Sequence, residues 1–266
     1  MTEEPENSSA IVLTIAGFDP SGGAGIIADV RTILHFRCRP VAAITSLTFQ
    51  NTERVFGAIH ESAQSIRAQI LPVIEESPVA AVKIGMLPTA EIVLEIARMI
   101  RAQTLPPPVI DPVMRSSSGF ELVEQDAIEA LRGELIPLAR LITPNVPEAE
   151  ALTGVCIEDE QAMRSAAEKL REMGARAVLI KGGHLNQKSA VESQESEERQ
   201  AIDVLDDEGE VTVFRGDWID TPPVRGTGCM MSSAIASNLA RENSLPESVR
   251  VAKLFVADAI RYAPKP

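Results

Sequence analysis

Residues 10–36 are AIVLTIAGFDPSGGAGIIADVRTILHF, and this stretch decides the predicted fold. Ala10–Ala16 is a short apolar run rich in β-branched residues, which predicts a buried strand. The glycine-rich segment Gly17–Gly25 breaks that strand, and Ile26–Phe36 then carries apolar residues at helical spacing. A strand, a glycine loop and a helix in this order indicate the first unit of an α/β sheet.

The same alternation continues to the end of the chain. Further strands are predicted at 40–47, 79–84, 108–113, 138–143 and 177–181, and helices at 63–76, 90–103, 125–131, 148–152, 161–173, 228–241 and 249–263. A hairpin is predicted at 201–216, and the polar segment Asn186–Gln200 predicts a mobile loop. We therefore expect one domain over residues 1–266, with a mainly parallel sheet covered on both faces and a flexible tail at 1–9.

Composition narrows the class of protein. The 266 residues are 45% hydrophobic and carry a formal net charge of −13, so a basic surface for nucleic acid is not expected. Backbone amides and a few cations can still hold the phosphates of a nucleotide. Three cysteines without metal-like pairing, no signal peptide and no membrane-length apolar run predict a cytoplasmic protein that does not bind membranes.

The segment Arg225–Ser232, RGTGCMMS, opens a predicted helix and is the strongest local signal. Gly226 and Gly228 allow a tight turn in which several amides and the helix N-terminus point at one spot, as an anion hole for a phosphoryl group requires. Cys229 falls in the first turn, where the helix dipole is expected to lower the pKa of its thiol. The alternative is a structural glycine turn above a buried cysteine.

Other candidates come from the ends of predicted strands. Asp111 ends a strand where α/β sheets place ligands, and Lys181 ends another, where it either contacts nucleotide or merely closes the strand. Asn145 and Glu148 either hold a hydrated Mg²⁺ beside phosphates or cap a helix, and capping is the commoner use of this pattern. Asp29, one turn into the first helix, faces either a ligand or solvent.

Several motifs in a fixed order resemble those of the hydroxymethylpyrimidine/phosphomethylpyrimidine kinase family of the ribokinase superfamily. The first is TIAGFDPSGGAGIIADVRT…ITSLTFQNT, from Thr14 to Thr52. The later ones are KIGM at Lys83–Met86, DPVM at Asp111–Met114, TPNVPEAEAL at Thr143–Leu152, IKGGHL at Ile180–Leu185 and GTGC at Gly226–Cys229. The resemblance covers nearly the whole chain, and it implies a ribokinase-like three-layer α/β/α fold.

The resemblance also implies an activity: phosphorylation of 4-amino-5-hydroxymethyl-2-methylpyrimidine and then of its monophosphate, with ATP and Mg²⁺, in thiamine biosynthesis. Carried over by motif, the pyrimidine-site positions are Gly17, Asp29, Gln50, Met86 and Val113. Cys229 is implied to be a general base or its close helper, beside an anion hole formed by Gly226, Thr227 and Gly228. Asn145 and Lys181 are implied to contact nucleotide, and Asp111 and Glu148 the metal.

Departures from the family pattern bear on the choice of acceptor. Phe18 and Ile27 replace a small residue and a glutamine, Arg225 stands where histidine is common, and Arg115–Ser118 lacks the usual lysine. A pyridoxine/pyridoxal kinase on the same scaffold is the alternative enzyme, and a non-catalytic pyrimidine sensor is the alternative of another class. We also expect a homo-oligomer, a dimer being the simplest.

Overall fold

The computed structural model describes residues 9–116, 119–183, 200–222 and 224–263, which form one nine-stranded sheet. The strands lie in the order β3-β2-β1-β4-β5-β6-β7-β8-β9. They are β1 Ile11–Phe18, β2 Arg39–Gln50, β3 Val55–His60, β4 Ala81–Ile84, β5 Val109–Ile110, β6 Leu141–Ile142, β7 Ala177–Lys181, β8 Gln200–Asp207 and β9 Glu210–Asp217. The six central strands pair in parallel, and across the sheet they are β2, β1, β4, β5, β6 and β7. At the two edges the pairing is antiparallel, with β3 on β2 at one edge and with β8 on β7 and β9 on β8 at the other.

Helices connect these strands. They are α1 Gly25–His35, α2 Ala63–Glu76, α3 Ala90–Arg101, α4 Gln125–Ala130, α5 Val146–Thr153, α6 Glu160–Glu172, α7 Thr227–Ala240 and α8 Leu245–Arg261. A π-helical turn, Leu131–Leu135, and a 3₁₀ turn, Ile136–Leu138, continue α4. In the part of the chain that the structure describes, no helix is both long and apolar enough to cross a membrane.

Alternate residues of the central strands enter two separate hydrophobic cores. In β1, Val12 belongs to the core formed with α1, α7 and α8, whereas Leu13 belongs to the larger core formed with α2 to α6. The same division separates Ala81 from Val82 in β4. Successive side chains of a strand point to opposite faces, so each face of the sheet is covered by its own helical layer. The expected three-layer α/β/α architecture is confirmed.

The sequence pattern placed most elements correctly but missed some of their limits. It did not predict β3, whose exposed Phe56 and Ile59 give no alternation of buried and exposed positions. The strands predicted at 108–113 and 138–143 each contain only two strand residues, since prolines and short turns occupy their flanks. Helix α8 begins at Leu245, after the Ser244 cap, and not at Val249. Of the predicted loop 186–200, only Gln200 lies within the described residues, in β8.

The strand order places a topological switch point between β1 and β4, and the cleft expected beyond the carboxyl ends of these two strands is called the cleft below. Strand β1 pairs with β2 on one side and β4 on the other, and the connections leaving these neighbours run in opposite directions along the sheet. In open α/β sheets, ligands bind at the carboxyl ends of the strands beside such a switch point. Gly17 lies near the end of β1 at this edge, Met86 follows β4, and Asp111 follows β5.

A buried ion pair joins four elements beneath this cleft. The Lys83 amine of β4 lies 2.9 and 2.8 Å from the two carboxylate oxygens of Asp29 in α1, and both side chains are fully buried. The hydroxyls of Thr14 in β1 and Ser233 in α7 donate to the same carboxylate at 2.6 and 2.8 Å. Burial opposes the charge of Lys83, but Asp29, Cys229 and Asp111 together outweigh it and raise the pKa of this lysine.

Removing one member of this pair leaves a buried charge without its partner. We expect Asp29→Ala to lower the free energy of unfolding by about 3–5 kcal/mol, measured by urea denaturation, and Lys83→Met in the same chain to recover part of that loss. The control is Glu134→Ala, which removes the exposed ion pair between Glu134 and Arg101 and should change stability little. An Asp29→Ala protein no less stable than this control would contradict the structural role.

Candidate active site

The two glycine-rich loops of the sequence lie against each other. Gly226 has a φ of +76°, and a side chain there would place its Cβ 2.1 Å from the carbonyl oxygen of Gly23. Gly25 has a φ of +57°, and its Cβ would lie 2.2 Å from the carbonyl oxygen of Gly17. Only glycine permits both this backbone conformation and this approach. The first loop and the turn before α7 therefore form one interlocked unit.

The N-terminus of α7 opens into the cleft without a side-chain cap. Gly226 is the N-cap residue, and the first backbone bond of the helix runs from the Met230 amide to the Gly226 carbonyl at 2.8 Å. The amides of Thr227, Gly228 and Cys229 precede that bond and have no partner within the helix. Converging amides at a helix N-terminus attract an anion, as the sequence predicted for Gly226 to Gly228.

Asp111 and Lys181 lie beside this turn. The Lys181 amine donates to Asp111 Oδ1 at 2.7 Å, and a Cβ on Gly228 would come within 3.2 Å of that amine and 3.6 Å of Asp111 Oδ2. Burial alone would raise the pKa of Asp111, but Lys181 and Lys83 together lower it. The same ion pair outweighs burial at Lys181 and raises its pKa. The predicted anion hole, Asp111 and Lys181 are thus brought together.

Asn145 and Glu148 form a capping box at the start of α5. The Glu148 amide donates to the Asn145 side chain at 2.9 Å, and the Asn145 amide donates to the Glu148 carboxylate at 2.8 Å. The helix-cap interpretation is therefore realised. The carboxylate is nevertheless buried close to Lys181 and Asp111, and burial raises its pKa to about 7, against the opposing effect of Lys181. Among the described residues, no three metal-ligating side chains cluster around one point.

Cys229 is in the predicted place, but its thiol is not activated. The Gly25 amide and the Asp111 carboxylate are both close enough to its sulfur to affect the pKa of the thiol. Burial raises the pKa of Cys229 to about 12, although Lys83 acts to lower it. The expectation that the helix dipole lowers this pKa is wrong, because desolvation and the nearby Asp111 and Asp29 carboxylates outweigh a partial charge.

The residues assigned to the pyrimidine site divide into those at the cleft and one beneath it. Gly17 and Met86 are in contact, since a Cβ on Gly17 would lie 2.9 Å from Met86 Cε. Val113 follows β5 and is half-buried, and Gln50 lies at the end of β2. Asp29 lies beneath them. Its carboxylate is fully buried and accepts from Lys83, Thr14 and Ser233, which gives it a structural role. Its assignment to the pyrimidine stays a prediction.

Sequence reasoning missed Lys83 and the contacts of Arg225. A lysine inside the buried strand VAAVKI requires an acidic partner, and that signal could have paired Lys83 with Asp29. Arg225 had only its departure from the family pattern to mark it. Its guanidinium contacts Asp19 Oδ2 at 3.4 Å, Ser21 Oγ at 3.1 Å and Gln50 Oε1 at 3.3 Å.

Comparison with known proteins agrees with this arrangement. The family model for phosphomethylpyrimidine kinase matches residues 19–266 of this chain. The chain belongs to the phosphomethylpyrimidine kinase family. The hydroxymethylpyrimidine/phosphomethylpyrimidine kinase of Aquifex aeolicus is 40% identical over 255 residues, which cover 96% of each chain. The resemblance drawn from the motifs is thereby confirmed.

Solved structures of related kinases have the same fold as this chain over nearly its whole length. A phosphomethylpyrimidine kinase from Clostridium difficile gives a TM-score of 0.80 at 38% identity, with 95% of this chain and 100% of that chain covered. The ADP complex of Bacillus subtilis pyridoxal kinase gives a TM-score of 0.83 at 35% identity, with 96% and 93% covered. The ribokinase-like vitamin-kinase fold is confirmed.

Gly228 provides a test of the anion hole. A valine there would push its side chain against the Lys181 amine and the Asp111 carboxylate, displacing both from the turn. We expect Gly228→Val to lower turnover by about 10²–10³-fold, as loss of an oxyanion donor does, with a melting temperature near that of the wild type. Gly133→Val is the control, because a Cβ on Gly133 meets no atom within 4 Å. Unchanged turnover in Gly228→Val would contradict this role for the turn.

Proposed function

We propose that this kinase transfers the γ-phosphoryl group of ATP to the hydroxymethyl group of 4-amino-5-hydroxymethyl-2-methylpyrimidine, and then to the monophosphate that results, in thiamine biosynthesis. The observation that carries the proposal is the uncapped N-terminus of α7, which faces Asp111 and Lys181 beside the cleft at the switch point. The names of the relatives and the ADP bound to the Bacillus subtilis pyridoxal kinase support the acceptor and the nucleotide.

The transfer places one phosphoryl group between two oxygens. The acceptor hydroxyl oxygen attacks the γ-phosphorus, the bond from that phosphorus to the bridging oxygen of ADP breaks, and the hydroxyl proton passes to an oxygen of the transferred phosphoryl group and then to water. Because such transition states are loose, catalysis rests on positioning and on stabilising the charge of the equatorial oxygens. The amides of Thr227, Gly228 and Cys229 suit the second task, and Lys181 adds a positive charge beside them.

The buried carboxylates fit a divalent cation. Asp111 and Glu148 flank a single ammonium group, that of Lys181, and the raised pKa of Glu148 marks a negative charge that its surroundings do not fully compensate. Carboxylate oxygens are the protein ligands that Mg²⁺ prefers, and it needs only one or two of them beside phosphates. We assign Asp111 and Glu148 to Mg²⁺, which when bound would neutralise charge between phosphates. Asn145 and Lys181 are assigned to the nucleotide.

Cys229 acts as a neutral thiol in this proposal. Its sulfur lies near the Gly25 amide and the Asp111 carboxylate, between the two glycine loops. A thiol with a pKa of about 12 supplies almost no thiolate near neutral pH. Its task is then to orient the acceptor hydroxyl toward the phosphorus. Ring recognition belongs to the apolar surface of Gly17, Met86 and Val113, with Gln50 as the polar contact.

Pyridoxal kinase activity is the second candidate, because the Bacillus subtilis pyridoxal kinase has nearly the same fold at 35% identity. Both acceptors carry a hydroxymethyl group on a nitrogen heterocycle. A non-catalytic sensor is disfavoured, since ligand binding alone does not require an anion hole next to a lysine and two acids.

Turnover decides between these functions. ADP release is measured with ATP, Mg²⁺ and either the hydroxymethylpyrimidine or pyridoxal, and the products are identified as mono- or diphosphate. We expect kcat/KM to be higher on the pyrimidine, with the diphosphate accumulating after the monophosphate. Higher kcat/KM on pyridoxal would establish the second candidate, and binding without turnover of either would leave only the sensor.

Replacement of Cys229 separates the neutral thiol from a thiolate base. Serine keeps a donor and an acceptor, so Cys229→Ser should retain turnover within about 10-fold, as expected for one neutral hydrogen bond. Loss of a general base costs about 10²–10⁴-fold, so a loss of that size in Cys229→Ser would restore the thiolate mechanism. Iodoacetamide labelling followed by peptide mass spectrometry should modify the exposed Cys156 well before Cys229, and Cys229 should react faster only as the pH rises above 9.

Glu148→Gln tests the metal assignment against the helix cap. Glutamine keeps an acceptor for the Asn145 amide but loses the charge, so the Mg²⁺ concentration for half-maximal activity should rise. The native pKa of about 7 lies above the ordinary 4.5, so ionisation destabilises the wild type as pH rises from 4.5 to 7. Without Mg²⁺, the variant should therefore gain roughly 1–3 kcal/mol over the wild type across that interval. An unchanged Mg²⁺ titration would leave the cap as the only role.

Association and location remain predictions. A homodimer is supported by the exposed apolar side chains of Leu47 and Phe49 in β2 and of Ile59 in β3, which share one face of the edge ribbon. A cytoplasmic location and the lack of a nucleic-acid partner rest on the cysteine pattern and the acidic composition.

A further inference from the structure

Arg225 is a cation of the active site for which the proposed transfer gives no task. It directly precedes Gly226, the N-cap of α7, and its guanidinium extends to the first glycine loop and to the end of β2. Besides Asp19, Ser21 and Gln50, it contacts the carbonyl oxygen of Asn51 at 2.9 Å. It therefore lies at the boundary between the anion hole and the residue expected to bind the ring.

Arg225 differs from the two lysines of the site in how exposed its charge is and in how closely a carboxylate pairs with it. Lys83 is fully buried and held within 2.9 Å of Asp29, and Lys181 lies 2.7 Å from Asp111 with a side chain 14% exposed. The Arg225 side chain is 22% exposed, and its carboxylate partner, Asp19, is 3.4 Å away. Its contacts with Ser21, Asn51 and Gln50 are with neutral oxygens. Of these three cations, Arg225 has the most accessible and least tightly paired charge.

The contact with Gln50 also orients that side chain. A guanidinium carries only donors, so the amide oxygen of Gln50 must face Arg225, and its NH₂ group is directed elsewhere. Gln50 can then donate to a ring nitrogen of the acceptor. A phosphate carried by the hydroxymethyl group of that ring would lie between Gln50 and the amides of α7, within the region that Arg225 borders.

We propose that Arg225 is a specificity-determining residue that binds the phosphate of a phosphorylated acceptor and so favours the monophosphate over the free alcohol. The inference rests on the proposed function, of which it concerns the second phosphorylation. The planar fork of arginine matches two phosphate oxygens, and such charge-assisted bonds are stronger than neutral ones. The free alcohol carries no phosphate, so Arg225 can assist its binding only by orienting Gln50.

The test compares Arg225→Gln with Arg225→Lys and with Arg31→Gln. Arg31 is a matched control, because it is exposed and donates to the same glycine loop, at the Gly22 carbonyl, 3.1 Å away. Values of kcat/KM are measured for the hydroxymethylpyrimidine and for its monophosphate at fixed ATP. Arg225→Gln should lower the value for the monophosphate by about 10- to 100-fold and that for the alcohol by less than about 3-fold, the size of a weak neutral hydrogen bond. Arg225→Lys should fall between, and Arg31→Gln should match the wild type.

Equal losses on both acceptors, or no loss on either, would overturn the proposal. If Arg225→Gln melts well below the wild type, the ratio of the two kcat/KM values in Arg225→Lys decides, and an unchanged ratio overturns it. A second readout needs no turnover: the monophosphate without ATP should raise the melting temperature of the wild type more than that of Arg225→Gln. If the wild type turns over neither acceptor, the proposed function fails, and this melting difference alone supports or overturns phosphate binding by Arg225.

Discussion

The buried ion pair between Asp29 and Lys83 is the constraint on which the active site depends. It joins α1 to β4, and hydroxyls from β1 and α7 complete it, so four elements meet at one carboxylate directly beneath the two glycine loops. Gly85 must lack a side chain because its Cβ would lie 2.9 Å from the Lys83 amine. Such a pair contributes little net stability over a hydrophobic core, but breaking it is costly. Its role here is to hold α7 in place beneath the two glycine loops.

The same pair sets the electrostatics above it. Lys83 helps to lower the pKa of Asp111 and opposes the rise at Cys229, although neither residue belongs to the ion pair. Asp111 is thereby kept ionised next to Lys181, which keeps that lysine charged in turn. The net charge of the protein is −13, but in the part of the chain that the structure describes each buried acid except Glu148 forms an ion pair with a lysine or arginine.

A feature of the structure could be predicted from the sequence when the residues that determine it lie close together in the chain. The strand, glycine loop and helix of residues 10–36 were found because periodicity and glycine placement are local, and the same holds for Thr227–Ala240. The pairing of Asp29 with Lys83 spans 54 residues, and no local pattern contains it. For that reason the structural role of Asp29 was not predicted from the sequence. The pKa of Cys229 was predicted in the wrong direction because the helix dipole is visible in a sequence and desolvation is not.

The residues proposed to hold the phosphoryl group are not the ones proposed to select the acceptor. In the proposed function, the phosphoryl group is held by backbone amides of a turn whose conformation Gly25 and Gly226 fix by close approach. We propose that the acceptor instead meets side chains, namely Gln50, Met86 and the guanidinium of Arg225, which are not the glycines that shape the turn. One scaffold can therefore serve kinases for different heterocyclic alcohols, as the shared fold with a pyridoxal kinase indicates. Differences among family members in the acceptor they favour are then to be sought at these few side chains, and not in the glycine loops.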